Sequence, residues 1–221
     1  MTTLDFERGV SFTTSRQHTE HLLCSDCEGL LNKGGENYSL PLLYDESGFH
    51  LRDKLNGLNY YKVSRGRRIW HESTARALLK TNKIKYFVAG ILWKHSVCRI
   101  NAIKSNCLRP LGNKFEVRFQ NFLSGKEGFP DEALILIYVD KNAEQYPITS
   151  FPTRVRSSEF GCATWVHSFC MPGVRVRTLV GGATKNARQG DPSDIIFYEW
   201  TSEGTEFRDD VIQQVTSLTS K

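Results

Sequence analysis

The spacing of apolar positions changes near residue 130, and the change divides the chain into a helical part and a β-rich part. Between Ser73 and about Asn101, Ala75, Leu78, Leu79, Tyr86, Ala89 and Trp93 recur at three- and four-residue steps, which predicts one long helix or two in tandem. A hydroxyl of Ser73 or Thr74 can cap its start. The run YFVAGILW, residues 86–93, is apolar on all sides, so this stretch is expected to pass through the middle of the domain. It is far short of the roughly 20 residues that a membrane-spanning helix needs. Lys114 to Leu123 is amphipathic at the same period and stops at Ser124-Gly125. A shorter helix is expected over residues 27–33, with Gly34 and Gly35 as its stop signal.

Beyond residue 130 the period shortens. ALILIYVD, TWVHSFC, VRVRTLV and DIIFYEW are β-branched and aromatic runs separated by Pro and Gly, and they read as four strands. Residues 206–218 read as a final helix. Helices followed by strands, without βαβ alternation, place the chain in the α+β class. The expected organisation is a small N-terminal module over residues 1–60 and a helical plus β-sheet domain over 61–221, with central helices and a C-terminal antiparallel sheet.

With 221 residues, 39% of them hydrophobic, and 13 Phe, 8 Tyr and 4 Trp, the chain can bury a sizeable core and does not read as disordered. The first residues, MTTLDFERGV, contain acids and no apolar stretch, so a secretory leader is not expected. The expected location is the cytoplasm, with no membrane partner. Six cysteines without a regular framework then point to reduced thiols or metal ligands in place of disulfides.

Net charge is +5, but its distribution is uneven. Between residues 62 and 85, Lys62, Arg65, Arg67, Arg68, Arg76, Lys80, Lys83 and Lys85 stand against the single acid Glu72, whereas EWTSEGTEFRDD near the end is acidic. A basic field of this kind attracts a phosphate backbone and makes binding salt-dependent. Arg65, Arg67, Arg68, Arg76, Lys80, Lys83 and Lys85 are the candidate nucleic-acid contacts, with Trp70, Tyr60 and Tyr61 near enough to stack on bases. The alternative is a solvated helix face plus a basic loop whose aromatics anchor it to the core.

The segment LLCSDCEGLLNKGGENY, residues 22–38, holds the chain's single Cys-x-x-Cys. A tight turn between Cys24 and Cys27 can aim both sulfurs at one tetrahedral zinc, about 2.3 Å from each. His18 and His21 lie just upstream and complete a His-x-x-His-x-x-Cys-x-x-Cys set of four ligands. The alternative is two free, partly buried thiols at a helix start. Two further pairs, His95/Cys98 and His167/Cys170, repeat a spacing, and core packing explains both better than metal. LVGGATKNARQGDP, residues 179–192, lacks the Gly-Lys-Ser/Thr ending of a phosphate loop and reads as a hairpin or edge loop carrying Lys185 and Arg188.

Together with LRDKL (51–55), YFVAGILWKHSV (86–97), FLSGKEGFP (122–130) and ALILIYV (133–139), the cysteine segment resembles poorly characterised bacterial proteins related to HNH endonucleases. The likeness spans roughly residues 15–140. In complete members an upstream Cys-x-x-Cys and a Ser-His-containing segment precede the Leu-Leu-Cys-x-x-Cys-Glu motif. The resemblance then implies a treble-clef zinc site with Cys24 and Cys27 as the pair at the helix start. Neither upstream element is found before Cys24 here, so the expectation is a shortened or diverged relative with a treble-clef-like remnant.

A nuclease of this descent needs a histidine to activate water and a divalent ion such as magnesium to stabilise the scissile phosphate. His18 and His21 are the candidate catalytic residues. The functional expectation is a zinc-binding protein that acts on or binds nucleic acid, with a role in phage–host conflict. The alternative is a non-catalytic module that binds a protein partner, as an inhibitor or accessory subunit of an enzyme.

Overall fold

The helix that starts after Cys24 does not stop at Gly34-Gly35. The computed structural model describes residues 2–5, 10–13, 22–43, 45, 48–64, 67–98, 109–140, 150, 152–159, 161–188 and 190–200. In it, α1 (Ser25–Leu31) runs through a π-helical turn (Asn32–Glu36) directly into α2 (Asn37–Leu43). The glycine pair serves close approach. A Cβ on Gly35 would lie 2.6 Å from the Phe87 amide nitrogen and 2.8 Å from the Lys83 carbonyl oxygen, and one on Gly34 would lie 2.1 Å from the Tyr86 ring. Tyr86 is itself held, because its hydroxyl donates to the Leu123 carbonyl at 2.6 Å.

Those neighbours belong to the long central helix. After α3 (His50–Asn56), the tandem expectation holds as a short α4 (Glu72–Ala75) and a long α5 (Thr81–Val97), separated by residues 76–80. Neither Ser73 nor Thr74 caps the start; His71 is the N-cap of α4 and gives no side-chain cap bond. On α5, Ile84, Phe87, Val88, Ala89, Gly90 and Leu92 are all buried. The all-round apolar run is therefore a core helix, packed against the π-helical turn and against α6 (Gly112–Leu123).

The sheet contains the four expected strands, β5 (Ala133–Asp140), β7 (Thr164–Met171), β8 (Val174–Val180) and β9 (Ile195–Trp200). Three strands join them. The basic stretch expected as a loop folds into a hairpin, β3 (Lys62–Ser64) and β4 (Arg67–His71), and β6 (Thr153–Ser157) forms the far edge. The order is β3-β4-β9-β5-β8-β7-β6. Strand β9 lies between β4 and β5, antiparallel to the first and parallel to the second, so the sheet is mixed and starts well before the C-terminal part. A separate two-stranded hairpin pairs β1 (Thr2–Asp5) with β2 (Val10–Thr13). The helix expected over 206–218 lies outside the described residues.

Strand residues alternate between two apolar faces. One face, with Trp70, Ile135, Phe169 and Phe197, forms a single cluster with Leu42, Leu51, Leu55, Phe87, Leu92 and Phe119 from the helices. Helices before residue 60 thus share one apolar cluster with the sheet. The other face gathers Leu134, Leu136, Val166, Leu179 and Ile196 around Ala187 of a short α7 (Thr184–Arg188). Among the described residues no helix is long and apolar enough to cross a membrane.

The glycine contacts yield a paired test in one helical segment. Gly35→Ala presses a methyl group into fixed backbone and is expected to lower stability by about 1–3 kcal/mol. Gly29→Ala meets nothing within 4 Å and is expected to be neutral or stabilising by about 0.5–1 kcal/mol. Urea denaturation of both variants measures the difference.

Candidate functional site

Cys24 is the N-cap of α1 and Cys27 lies in its first turn; both are exposed. The Cys27 backbone N–H and thiol both hydrogen-bond to the Cys24 sulfur, which lowers the Cys24 pKa; holding that proton raises the Cys27 pKa. The two thiols therefore lie on one solvent-facing turn close enough to influence each other's ionisation, and thiolates are what a soft cation binds. Both thiols are free and at a helix start, as the alternative reading has them, but exposed where it expects partial burial. Every described cysteine is free.

The helix behind the pair is held by one cation. Lys94 on α5 donates to Glu28 at 3.2 Å and to Glu36 at 2.8 Å. Burial works against its charge, but the two carboxylates prevail and raise its pKa. Glu28 directly follows Cys27, and Glu36 ends the π-helical turn, so Lys94 ties both ends of the cysteine segment to the core. Among the described residues no group of three or more His, Cys, Asp or Glu is arranged to hold a metal ion. His18 and His21 lie outside those residues, so the described part of the site is the Cys24–Cys27 half.

Part of the basic stretch is taken up by the chain's own acids, through Arg68, Arg76 and Lys85. Lys85 is buried and bonds Asp194 at 3.0 Å and Glu72 at 3.1 Å. Glu72, also buried, further accepts from Thr81 Oγ1, Arg76 and the Asp194 backbone N–H. Burial acts to raise the Glu72 pKa, but Arg76 and Lys85 hold its carboxyl below the usual range. Two carboxylates and a lysine together suggest metal-assisted hydrolysis, yet here the ammonium sits between the carboxylates and closes the centre to solvent. Lys85 is not presented to a phosphate.

Arg68 is likewise engaged. It bonds Glu199 at 2.5 and 3.0 Å and Asn56 at 2.7 Å, with its guanidinium over the Trp70 ring. These groups, with Arg52, Asp53, Leu55 and Val139, line a cleft of about 240 Å³, below the usual size of a small-molecule site. No sequence signal links Arg68 to Glu199; the β4–β9 pairing brings the two together. Trp70 is buried and anchors the hairpin, whereas Tyr60 and Tyr61 are exposed.

Arg76, Lys80 and Lys83 remain on the surface side of the stretch, Arg76 paired with Glu72, Lys80 over the Tyr38 ring, and Lys83 donating to the Lys33 carbonyl. Arg65 lies outside the described residues, and Arg67 is placed only as the first residue of β4. The glycine-rich 179–192 loop also turns inward, because Arg188 bonds Asp194 and the Ala133 carbonyl. Comparison with protein-family models, curated proteins and solved structures finds no match.

His167 is buried on β7 opposite Thr178. Burial, with repulsion from Arg154 and His95, pushes its imidazole down to about 4. Its ordinary value is about 6.5. Between the two values the unfolded chain binds the proton and the folded chain does not, so this group's contribution is intact above about 6.5 and is lost as pH falls toward 4. Unfolding free energies from urea denaturation at pH 7 and pH 4.5 are expected to show about 2–3 kcal/mol more loss in wild type than in His167→Gln.

Proposed function

We propose that this chain is a diverged HNH-type zinc-binding protein that binds nucleic acid, its zinc held by Cys24 and Cys27 with His18 and His21. The observation that carries the reading is the pair of free, exposed cysteines at the first turn of a helix braced by Lys94. That is the position the resemblance assigns to the second ligand pair of a treble clef. Zinc is the ion suited to two thiolates and two imidazoles, because it accepts a tetrahedral nitrogen and sulfur set. The role of such a metal is structural: four protein ligands leave no open position for an activated water. The ion would fasten the segment before Cys24 to the helix start, and nucleic-acid binding follows from the basic character of the chain.

Elemental analysis of purified wild type is expected to give one zinc per chain, and the Cys24→Ser/Cys27→Ser variant none. Both positions are exposed, so the substitutions spare the packed core. Wild-type protein without metal would sink the zinc reading. Plasmid nicking by wild type in magnesium, manganese, nickel or zinc, lost in His21→Ala, would replace the binding role with a catalytic one.

A further inference from the structure

We infer that Trp165, with Arg154 and Arg156 beside it, is a stacking platform for single-stranded nucleic acid on the β6 edge of the sheet. This rests on the reading that the chain binds nucleic acid, and it moves the contact surface away from the 62–85 stretch. Several arginines elsewhere among the described residues meet carboxylates: Arg68 with Glu199, Arg109 with Glu116, Arg118 with Glu132 and Arg177 with Glu159. Arg154 and Arg156 have no carboxylate partner among those residues. Both sit instead against one aromatic ring, the Arg154 guanidinium 4.2 Å and the Arg156 guanidinium 5.8 Å from the Trp165 centroid.

The fold produces this arrangement. Arg156 is the register partner of Trp165, and Arg154 is the partner of His167 two positions along, so all three side chains stand on the same face. That is the face the helices cover, but β6 lies at its rim, and there the cover ends. Trp165 is 40% exposed, whereas Trp70, on the same face of the sheet, is 2% exposed. Arg154 is fixed in advance, because its Nη1 donates to the Pro110 carbonyl at 3.2 Å.

An exposed indole bordered by two guanidinium groups without a carboxylate partner among the described residues has two unmet demands, an aromatic or apolar cover and negative charge. A single nucleic-acid strand supplies both in alternation, base and phosphate. An acidic peptide supplies the charge alone.

The test uses fluorescence anisotropy of full-length protein with a labelled oligothymidylate over a range of salt. Trp165→Ala is expected to weaken binding about tenfold, as loss of one stacked base does, while Trp165→Phe keeps a π-face and most of the affinity. Arg154→Gln/Arg156→Gln is expected to reduce the slope of log affinity against log salt by about 1.4, the share of two phosphate contacts on a single strand. A purely structural role for these residues would leave that slope unchanged. Wild-type binding that is indifferent to the Trp165 and arginine changes overturns the platform and leaves the nucleic-acid reading standing. No binding by wild type overturns both. Equal or tighter binding of poly-glutamate would assign the edge to an acidic peptide and overturn the proposal as well. If Trp165→Ala does not fold, Trp165→Phe and the arginine pair decide through the salt slope.

Discussion

The packing of the described residues depends on α5, whose run from Tyr86 to Trp93 has no exposed position. Because that run is apolar on all sides, it must be enclosed by a sheet cluster, by α6 and by the helical segment that follows the cysteines. Enclosure at that closeness requires a neighbour without side chains at the point of crossing, which Gly34 and Gly35 provide. The two lysines of α5 with carboxylate partners, Lys85 and Lys94, are nine residues apart. At 3.6 residues per turn they point about half a turn away from each other. One fastens the helix to the sheet end through Glu72 and Asp194, and the other fastens it to the cysteine segment through Glu28 and Glu36. Packing places the helix, and the two ion clusters oppose its sliding or rotating.

The same pairing explains why charge counted along the chain overstated the basic surface. The run from 62 to 85 is strongly cationic in sequence, but Arg68 and Lys85 meet Glu199 and Asp194 across more than a hundred residues of chain. Acids near the far end of the chain thus neutralise part of a basic segment near its middle. What stays available for an external anion is set by which guanidinium groups lack a carboxylate neighbour, and linear charge density does not report that.

Periodicity read the long elements well. The four long strands, α6 and the tandem α4 and α5 were all legible, because each presents a complete period over several residues. Short elements were not. The β3–β4 hairpin is basic enough to resemble a loop, and TRVRS of β6 is an edge strand with exposed side chains and little hydrophobic signal. The glycine pair was misread because a helix stop and a close helix crossing call for the same residue; only the position of Phe87 and Tyr86 distinguishes them. Of the candidate metal site, the Cys24–Cys27 half was legible from spacing alone, whereas the Lys94 brace was not, since its partners lie 58 and 66 residues away.

The position of β9 bears on how the chain reaches this structure. Strands β4 and β5 are neighbours in sequence order but not in space, and the gap between them is filled by a strand that starts only at Ile195. During synthesis the β3–β4 hairpin and the β5–β8 ladder therefore emerge as two pieces with facing, unpaired edges. The loop-closure entropy of joining them cannot be recovered until β9 arrives. Until then both edges are open to pairing with other chains, so the period of greatest aggregation risk ends when β9 docks.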